Sequence, residues 1–356
     1  MTNSARAWST KLLVGVIRLD NIGDHVLGSG FLKGLRQNLT EASIIVFVTK
    51  KTAALYLACP YIDRCIVLDS TVGVDAMPEL CEWVGKFDLL INPRFARDYY
   101  SAEAIVRKLA SLRAVSFKTE SHEANQCYSE TLEAPQGVHV AEYANILLRH
   151  LFPEHKHCAP ETWTHPLDQL EAQKKLRQRG WNENERLILL SAGASVPYRR
   201  WPEARVIGLF GQLVSSFQCQ VMLVGAGADR HQYRRFSAWR HPKLINALGL
   251  LSLPQLAACC KLGALFIGTD SGPKHISAAN ALRVIEINHM PASFAPERSA
   301  VWPTGKNWAA YAVDQRQVHP AGEFSEAQIL SGHSIAAVTE AQVMTEAAQL
   351  LQQSQP

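Results

Sequence analysis

The chain has 356 residues, 47% of them hydrophobic, which indicates about two globular domains and excludes extensive disorder. Its 36 Lys and Arg against 32 Asp and Glu give a net charge of +4, far weaker than the clustered excess of a typical nucleic-acid-binding protein. The balance is compatible with an anionic substrate or an acidic membrane surface and requires neither.

The opening residues lack the apolar run of a secretory signal, so we expect a cytoplasmic protein. In the first half, short runs rich in Val, Ile and Leu predict strands at 12–17, 44–48, 65–68 and 89–91. Between the first two, apolar residues recur every four positions and predict one helix with the stripe Leu27, Phe31, Leu35 and Leu39. Residues 120–137 are polar and are interpreted as a loop.

The pattern restarts in the second half, with strands predicted at 187–190, 221–224, 265–267 and 284–287. Residues 206–228 carry no charge, but Gln and Ser interrupt them, which favours a helix followed by a buried strand over a membrane span. Thr339 and Gln342 have the spacing of a capping box and predict a C-terminal helix.

Two such series predict an α/β protein with two doubly wound, Rossmann-like domains that face a cleft. We place the N-terminal domain at 1–160, the C-terminal domain at 161–335 and the final helix at 336–356. The linker is predicted at 152–166, where Pro and His replace the apolar periodicity. The cluster of His155, His157 and Cys158 is read as a polar interdomain loop, with zinc binding as the less favoured alternative.

Ligands of such sheets bind at the carboxyl ends of the strands, so the residues that follow strands are the informative ones. After the first strand, Gly23 allows a tight turn and Asp24 lies at the start of a helix. Asp24 is interpreted either as a helix N-cap or as a general base, because a helix N-terminus stabilises an ionised carboxylate.

After the strand at 265–267, Ser271 has the position of an N-cap, and Gly272 lets an anion approach the backbone N–H groups of the next helix. Lys274 and His275 add donor groups. This segment is read as a phosphate or pyrophosphate site, with an ordinary capped helix as the alternative.

Two further loops carry candidate ligand contacts. Ser195, Arg199 and Arg200 follow the strand at 187–190, where a phosphate clamp and a solvated arginine pair are both compatible with the sequence. The residues after the strand at 221–224 begin like a dinucleotide-binding glycine pattern, but Arg230 stands in place of the third glycine. Asp229 is therefore interpreted as a ligand for ribose hydroxyls.

Together, the segment 17–24, Arg199 to Pro202 and the segment 268–275 resemble glycosyltransferase family 9, the heptosyltransferases of lipopolysaccharide assembly, over nearly the whole chain. The resemblance implies a GT-B fold in which the acceptor is held by the first domain and the nucleotide sugar by the second. It also implies a C-terminal helix that crosses back to the first domain. The expected activity is inverting transfer of heptose from ADP-heptose, without metal or cofactor, at the cytoplasmic face of the inner membrane.

The resemblance also assigns roles to individual residues. Asp24 matches the proposed catalytic base of the family. The matched donor-site positions are Ser195, Arg199, Asp229, Leu251, Asp270, Ser271, Gly272, Lys274 and His275.

The chain departs from the family pattern mainly in its first domain. Asp20 and Asn21 stand where the family often has small hydroxyl residues, and residues 92–94 replace an acidic, Gln-containing segment. The acceptor is therefore the least defined substrate, and Arg18, Arg94 and Arg97 are candidate contacts to an anionic sugar.

Other functions remain open from the sequence. They are a GT-B enzyme with another nucleotide sugar, a nucleotide-sugar epimerase, a non-catalytic nucleotide-binding protein and, less favoured, a nicotinamide dehydrogenase.

Overall fold

The computed structural model describes residues 12–94, 102–119, 121–135, 137–292, 308–311 and 313–352. The chain forms two compact units that divide between Trp163 and Thr164. The predicted boundary lies three residues earlier, after residue 160. Each unit has one parallel sheet with its own hydrophobic core.

The sheet of the first unit has six strands in the described residues, in the order β3-β2-β1-β4-β5-β6. They are β1 (Leu13–Arg18), β2 (Ser43–Thr49), β3 (Arg64–Leu68), β4 (Leu89–Asn92), β5 (Ala114–Phe117) and β6 (Glu130–Leu132). β1 lies at the centre, with Val16 opposite Val46 of β2 and Ile91 of β4. Its side chains are nearly all buried, as expected for a parallel strand covered on both faces.

The sheet of the second unit has the order β12-β11-β10-β7-β8-β9 in the described residues. Its strands are β7 (Arg186–Ser191), β8 (Cys219–Leu223), β9 (Leu244–Asn246), β10 (Leu265–Thr269), β11 (Val284–Ile287) and β12 (Gln315–Val318). Numbered within each unit, both sheets read 3-2-1-4-5-6, the strand order of the dinucleotide-binding fold. The predicted doubly wound architecture is confirmed.

The helices connect these strands along the chain, except for the last three, which follow β12. In the first unit they are α1 (Ile22–Leu27), α2 (Gly30–Asn38), α3 (Ala102–Leu109), α4 (His122–Asn125) and α5 (Val140–Leu151). In the second they are α6 (Pro166–Arg177), α7 (Glu203–Ser216), α8 (Asp229–Gln232), α9 (Arg234–Ala238), α10 (Leu253–Cys260), α11 (Gly272–Ala279), α12 (Glu326–Leu330), α13 (His333–Ala337) and α14 (Glu340–Gln352).

The helix predicted through Leu27 and Leu39 is broken into α1 and α2 at Gly28 and Ser29. A Cβ added at Gly28 would lie 2.6 Å from Nη1 of Arg18. The same nitrogen donates a hydrogen bond to the Gly28 carbonyl at 3.2 Å. The break is therefore made by a tertiary contact, which helical periodicity does not reveal.

The stretch 120–137, expected to be a loop, contains α4 and the edge strand β6. β6 has three residues and pairs with β5 only, so no long apolar run marks it. β5, β9 and β12 were also missed. They too are short, with at most four residues each.

The segment predicted as an interdomain linker packs against the first unit from 155 to 161. The amide of Asn145 on α5 donates to the carbonyl of Cys158 at 3.1 Å, and its Oδ1 accepts from the Cys158 N–H at 2.8 Å. Nε2 of buried His155 lies 3.1 Å from the same Oδ1. These residues have no regular secondary structure, as predicted for the interdomain loop, and form a strap fixed to α5.

The capping box at Thr339 is confirmed, with Gln342 N–H bonded to the Thr339 hydroxyl at 3.3 Å. The helix that follows, α14, packs on α7 and on β11 and β12. Its buried side chains Val343, Ala347 and Leu350 belong to the core of the second unit. These contacts lie within the second unit, and the return of this helix to the N-terminal domain stays a prediction.

Residues 206–228 form most of α7 and the whole of β8, as predicted. Within the described ranges, no helix has the length and apolar character needed to cross a membrane.

Candidate active site

In a sheet of this strand order, the loops after the first and fourth strands diverge to opposite faces and leave a crevice at their carboxyl ends. In the first unit this switch point lies after β1 and β4. In the second it lies after β7 and β10. Most of the predicted site residues follow these four strands.

Asp24 lies in the first turn of α1, which begins after Asn21. Its Oδ2 accepts a hydrogen bond from the backbone N–H of Asn21 at 3.2 Å, so Asp24 closes a capping interaction and is not itself the N-cap. Burial, reinforced by the negative charge of Asp20, raises the pKa of Asp24 to about 6, against the opposing effects of Arg94 and Arg18. The sequence predicted a stabilised carboxylate. The structure instead gives one that titrates just below neutral pH.

Arg18, at the end of β1, is 4% exposed and uses all three nitrogens within the first unit. Nε donates to Oδ2 of Asp20 at 3.2 Å, Nη2 to the Asp24 carbonyl at 2.7 Å and Nη1 to the Gly28 carbonyl at 3.2 Å. The buried guanidinium of Arg18 thus fixes groups of the protein itself, and its contact with the acceptor stays a prediction.

Arg94 follows β4 and lies with Nη1 3.0 Å from Oδ1 of Asp20. Asp20 is thus held between two arginines across the switch point of the first sheet. Asp20 and Arg94 are both positions at which the sequence departs from the family pattern, and the structure brings them into one ion pair. Arg97, the third candidate for acceptor contact, lies outside the described residues.

Sequence reasoning gave no role to His25, which follows Asp24 and is 2% exposed. Its Nδ1 lies 2.5 Å from the hydroxyl of Tyr56. Burial, followed by the charge of Arg18, holds the pKa of His25 well below its usual value, so the imidazole is neutral. Its Nε2 is buried and has no hydrogen-bond partner among the described residues.

A cavity of about 410 Å³ opens at the carboxyl ends of β1 and β2, and Leu19, Asp20, Thr49, Lys50, Lys51 and Ser70 line it. Nζ of Lys51 donates to Oδ1 of Asn21 at 2.8 Å, which links this wall to the start of α1. The two lysines were missed in the sequence. Their sequence signal was two adjacent lysines just after a predicted strand.

In the second unit, Asp270 follows β10 and accepts from Nη1 of Arg199 at 2.7 Å and from Nζ of Lys274 at 2.5 Å. Nε2 of His275 lies 3.7 Å from the same carboxylate. Burial opposes ionisation of Asp270, but Lys274, His275 and Arg199 together hold its pKa well below the ordinary value. The ionised form of Asp270 is therefore favoured.

Lys274 is completely buried, and its ammonium also contacts Oε2 of Glu286 at 3.2 Å and the carbonyl of Trp308 at 2.9 Å. Burial alone would lower the pKa of Lys274, but Asp270 and Glu286 raise it above its usual value. The ammonium lies inside the protein and fixes Asp270, and the contact of this side chain with a bound diphosphate stays a prediction.

α11 begins after Ser271, whose hydroxyl donates to the carbonyl of Thr269 at 3.2 Å and does not cap the helix. Within the described residues the N–H of Gly272 has no acceptor. Pro273 follows in the first turn, where its missing N–H removes no hydrogen bond. The arrangement fits the predicted anion site at this helix N-terminus.

Asp229 is the first residue of α8, directly after the loop that follows β8, and its Oδ2 accepts from the N–H of Ala226 at 2.7 Å. The carboxylate packs over Gly193 and Gly225, where an added Cβ would lie 2.8 and 2.5 Å from its atoms. Burial raises the pKa of Asp229, against the backbone hydrogen bond and Arg200. Arg230, in place of the third glycine, donates to the carbonyl of Leu248.

Two residues predicted to contact the donor, Ser195 and Leu251, lie in loops that are held by hydrogen bonds from neighbouring side chains. Ser195 is exposed, and its carbonyl accepts from Nη2 of Arg200 at 3.4 Å. Leu251 is partly buried and precedes Ser252, which caps α10 through the N–H of Gln255 at 3.3 Å. These positions fit backbone contacts to a ligand, and their roles stay predictions.

In the part of the chain that the structure describes, no group of three or more His, Cys, Asp or Glu side chains is arranged to hold a metal ion. His155 and His157, considered above for zinc, bond to Asn145 and Glu142.

Two Rossmann-like sheets, each with charged residues gathered at its switch point, define an α/β protein of the GT-B fold. A family model of glycosyltransferase family 9 (heptosyltransferase) matches residues 85–303, and the chain belongs to this family.

Solved structures give the same fold. A family 9 glycosyl transferase from Veillonella parvula is 20% identical, with a TM-score of 0.77, over 96% of this chain and 98% of its own. ADP-heptose lps heptosyltransferase II of E. coli is 15% identical, with a TM-score of 0.73, over 96% and 99%. E. coli heptosyltransferase WaaC with ADP-2-deoxy-2-fluoro heptose is 15% identical, with a TM-score of 0.66, over 95% and 99%. A comparison with curated proteins gave no match.

Proposed function

We propose that this protein is an inverting glycosyltransferase that moves heptose from ADP-heptose to a lipopolysaccharide or related surface glycan, with Asp24 as the general base. The observation that carries the proposal is the carboxyl of Asp24 at the switch point of the first sheet, with a pKa raised to about 6. A base whose pKa lies near the working pH combines the ionised form with useful proton affinity.

In the proposed reaction an acceptor hydroxyl gives its proton to Asp24 as its oxygen attacks the anomeric carbon. The bond from that carbon to the diphosphate oxygen breaks, and the electron pair leaves with ADP. Attack from the face opposite the diphosphate inverts the configuration. One base is therefore sufficient on the acceptor side.

The donor side needs groups that stabilise the charge of the departing diphosphate. Arg199 and the N-terminus of α11 at Gly272 are suited to this, since both present N–H donors and positive potential at one switch point. The two E. coli WaaC structures hold ADP and an ADP-heptose analogue. This supports ADP-heptose as the donor here, with Asp229 on the ribose.

The acceptor side is proposed to take an anionic glycolipid. Lys50 and Lys51 line the cavity beside Asp20, and Arg94 is 15% exposed at its side chain, so all three are candidates for sugar carboxylates or phosphates. We place the enzyme in the cytoplasm, at the inner face of the membrane that carries such acceptors.

We further propose that transfer needs no metal or cofactor, because Arg199 and the start of α11 take the role that a divalent cation has elsewhere. Activity that survives EDTA supports this. Activity that EDTA removes and Mg²⁺ or Mn²⁺ restores contradicts it.

The test of the whole proposal compares wild type with Asp24→Asn. We expect the variant to lose about 10²- to 10⁴-fold in transfer from ADP-heptose while its melting temperature still rises with ADP. Asp75→Asn, a change of a fully exposed carboxylate in the same unit, is the matched control and is expected to have no effect. Transfer by Asp24→Asn at the wild-type rate would show that Asp24 is not the base.

The nucleotide is tested by the same melting assay. ADP is expected to stabilise the protein more than GDP or UDP. A larger shift with UDP would favour another nucleotide sugar, and a shift with NAD alone would favour the dehydrogenase interpretation.

A further inference from the structure

Asp20 is a buried carboxylate, and each of its two oxygens is paired with an arginine. Its Oδ2 takes Nε of Arg18 at 3.2 Å and its Oδ1 takes Nη1 of Arg94 at 3.0 Å. The side chains of Arg18, Asp20 and Arg94 are 5, 8 and 15% exposed. At this burial an ion pair interacts strongly with neighbouring charges because water screens it little.

The same network holds the backbone on which Asp24 stands. Arg18 bonds the Asp24 carbonyl at 2.7 Å and the Gly28 carbonyl at 3.2 Å, so it fixes α1 at two points. Asp20 in turn fixes the direction of the Arg18 guanidinium. A change at Asp20 therefore reaches Asp24 both through space and through Arg18.

The other charged and titratable groups around Asp24 are few among the described residues. His25, next to it on α1, is buried against Tyr56 and neutral. Lys51, after β2, is bonded to Asn21. Asp20 is thus the nearby negative charge and Arg94 the partner that balances it.

We propose that Asp20 and Arg94 form a positioning pair that sets the pH range in which Asp24 accepts the proton of the acceptor. The negative charge of Asp20 opposes ionisation of Asp24, and Arg94 reduces that opposition by neutralising Asp20. Arg94 then acts on the base through Asp20. The inference rests on the proposed role of Asp24 as the base.

A double-mutant cycle tests the pair, with Asp20→Asn, Arg94→Gln and the double variant, and the acidic limb of kcat/KM against pH as the readout. Asp20→Asn removes the opposing charge, so the limb moves to lower pH. Arg94→Gln leaves Asp20 less neutralised, so the limb moves to higher pH. We expect shifts of up to about one pH unit in opposite directions, and a double variant close to wild type.

Arg94→Lys keeps the charge and is expected to restore most of the wild-type limb. Lys86→Gln is the matched control, since it removes one exposed cation at the amino end of β4 while Arg94 follows its carboxyl end. The limb of this control is expected to stay in place. Limbs that shift in the same direction, or not at all, overturn the proposal, as does an effect of Arg94→Gln confined to the KM of the acceptor.

A second measurement needs no activity. Wild type, Asp20→Asn and Arg94→Gln are each compared with the same protein carrying Asp24→Asn in addition. The difference in the free energy of unfolding within each pair is followed against pH, and its total change from low to high pH gives the shift of the Asp24 pKa on folding in that background. If Asp24→Asn transfers normally, the proposed function fails. If Asp24→Asn is inactive but this pKa shift does not change in opposite directions in the two backgrounds, only the positioning pair fails.

Discussion

The two switch points of this molecule contain the same arrangement in different surroundings. In the first sheet Asp20 lies between Arg18 and Arg94, and in the second Asp270 lies between Arg199 and Lys274. The second arrangement is backed by a further carboxylate, since the fully buried Lys274 also contacts Glu286.

The difference lies in what the cations hold. In the second sheet they hold Asp270 directly and keep its pKa well below the ordinary value, so the site has a fixed charge. In the first sheet the cations pair with Asp20. Asp24 lies outside these ion pairs, and its pKa is raised to about 6. One strand order thus provides a fixed anion in one unit and a titrating carboxyl in the other.

The largest expected effect is on the buried pair of the second unit. Lys274→Met leaves Asp270 and Glu286 buried without their shared cation, and we expect a loss of about 3–5 kcal/mol in the free energy of unfolding. Denaturant unfolding measures it. Lys261→Met, at an exposed lysine of the same unit, is the control, and a loss as small as in that control would contradict the importance of the buried pair.

Next in size is the effect of Arg199 on the nucleotide. Arg199→Ala removes a charged donor from the second switch point, so the Kd for ADP is expected to rise about 10- to 100-fold. Calorimetric titration measures this. Arg235→Ala, an exposed arginine on α9, is expected to bind ADP as wild type does, and equal affinities in all three proteins would remove Arg199 from the donor site.

Asp24→Asn is expected to stabilise the fold at alkaline pH. The pKa of Asp24 is higher in the folded protein than its ordinary value of 3.8, so ionisation above about pH 6 destabilises the native state. The variant should gain about 1–2 kcal/mol at pH 8 and lose this advantage as the pH falls to 4. Unfolding of both proteins across this range checks it, and a gain that grows towards low pH would reverse the assigned direction.

The smallest effect concerns the break between α1 and α2. An added methyl at Gly28 would lie 2.6 Å from Nη1 of Arg18, so Gly28→Ala is expected to destabilise by about 1 kcal/mol and to lower transfer. Gly211→Ala on α7, where a Cβ meets nothing within 4 Å, is expected to be neutral or stabilising. Equal behaviour of the two variants would show that Arg18 moves aside at no cost.

The eight predicted strands all form, because apolar residues dominate each of them; their side chains are mostly buried except in the edge strand β3. β5, β6, β9 and β12 escaped because polar residues leave at most two consecutive apolar residues in each of them. Asp24, Arg199 and Asp270 could be singled out because each follows a predicted strand. The burial of Arg18 and Lys274 could not be predicted, because an exposed cation and a cation in a buried ion pair look the same in the sequence.

The sequence by itself determined the two α/β units, their boundary to within a few residues and the places where polar groups meet strand ends, since these depend on local apolar periodicity. Only the tertiary structure decided which carboxyl titrates and which is fixed. That depends on burial and on charges brought together from distant strands, as Arg94 is brought to Asp20 and Glu286 to Lys274. The charge of +4 has its effect through these few placements.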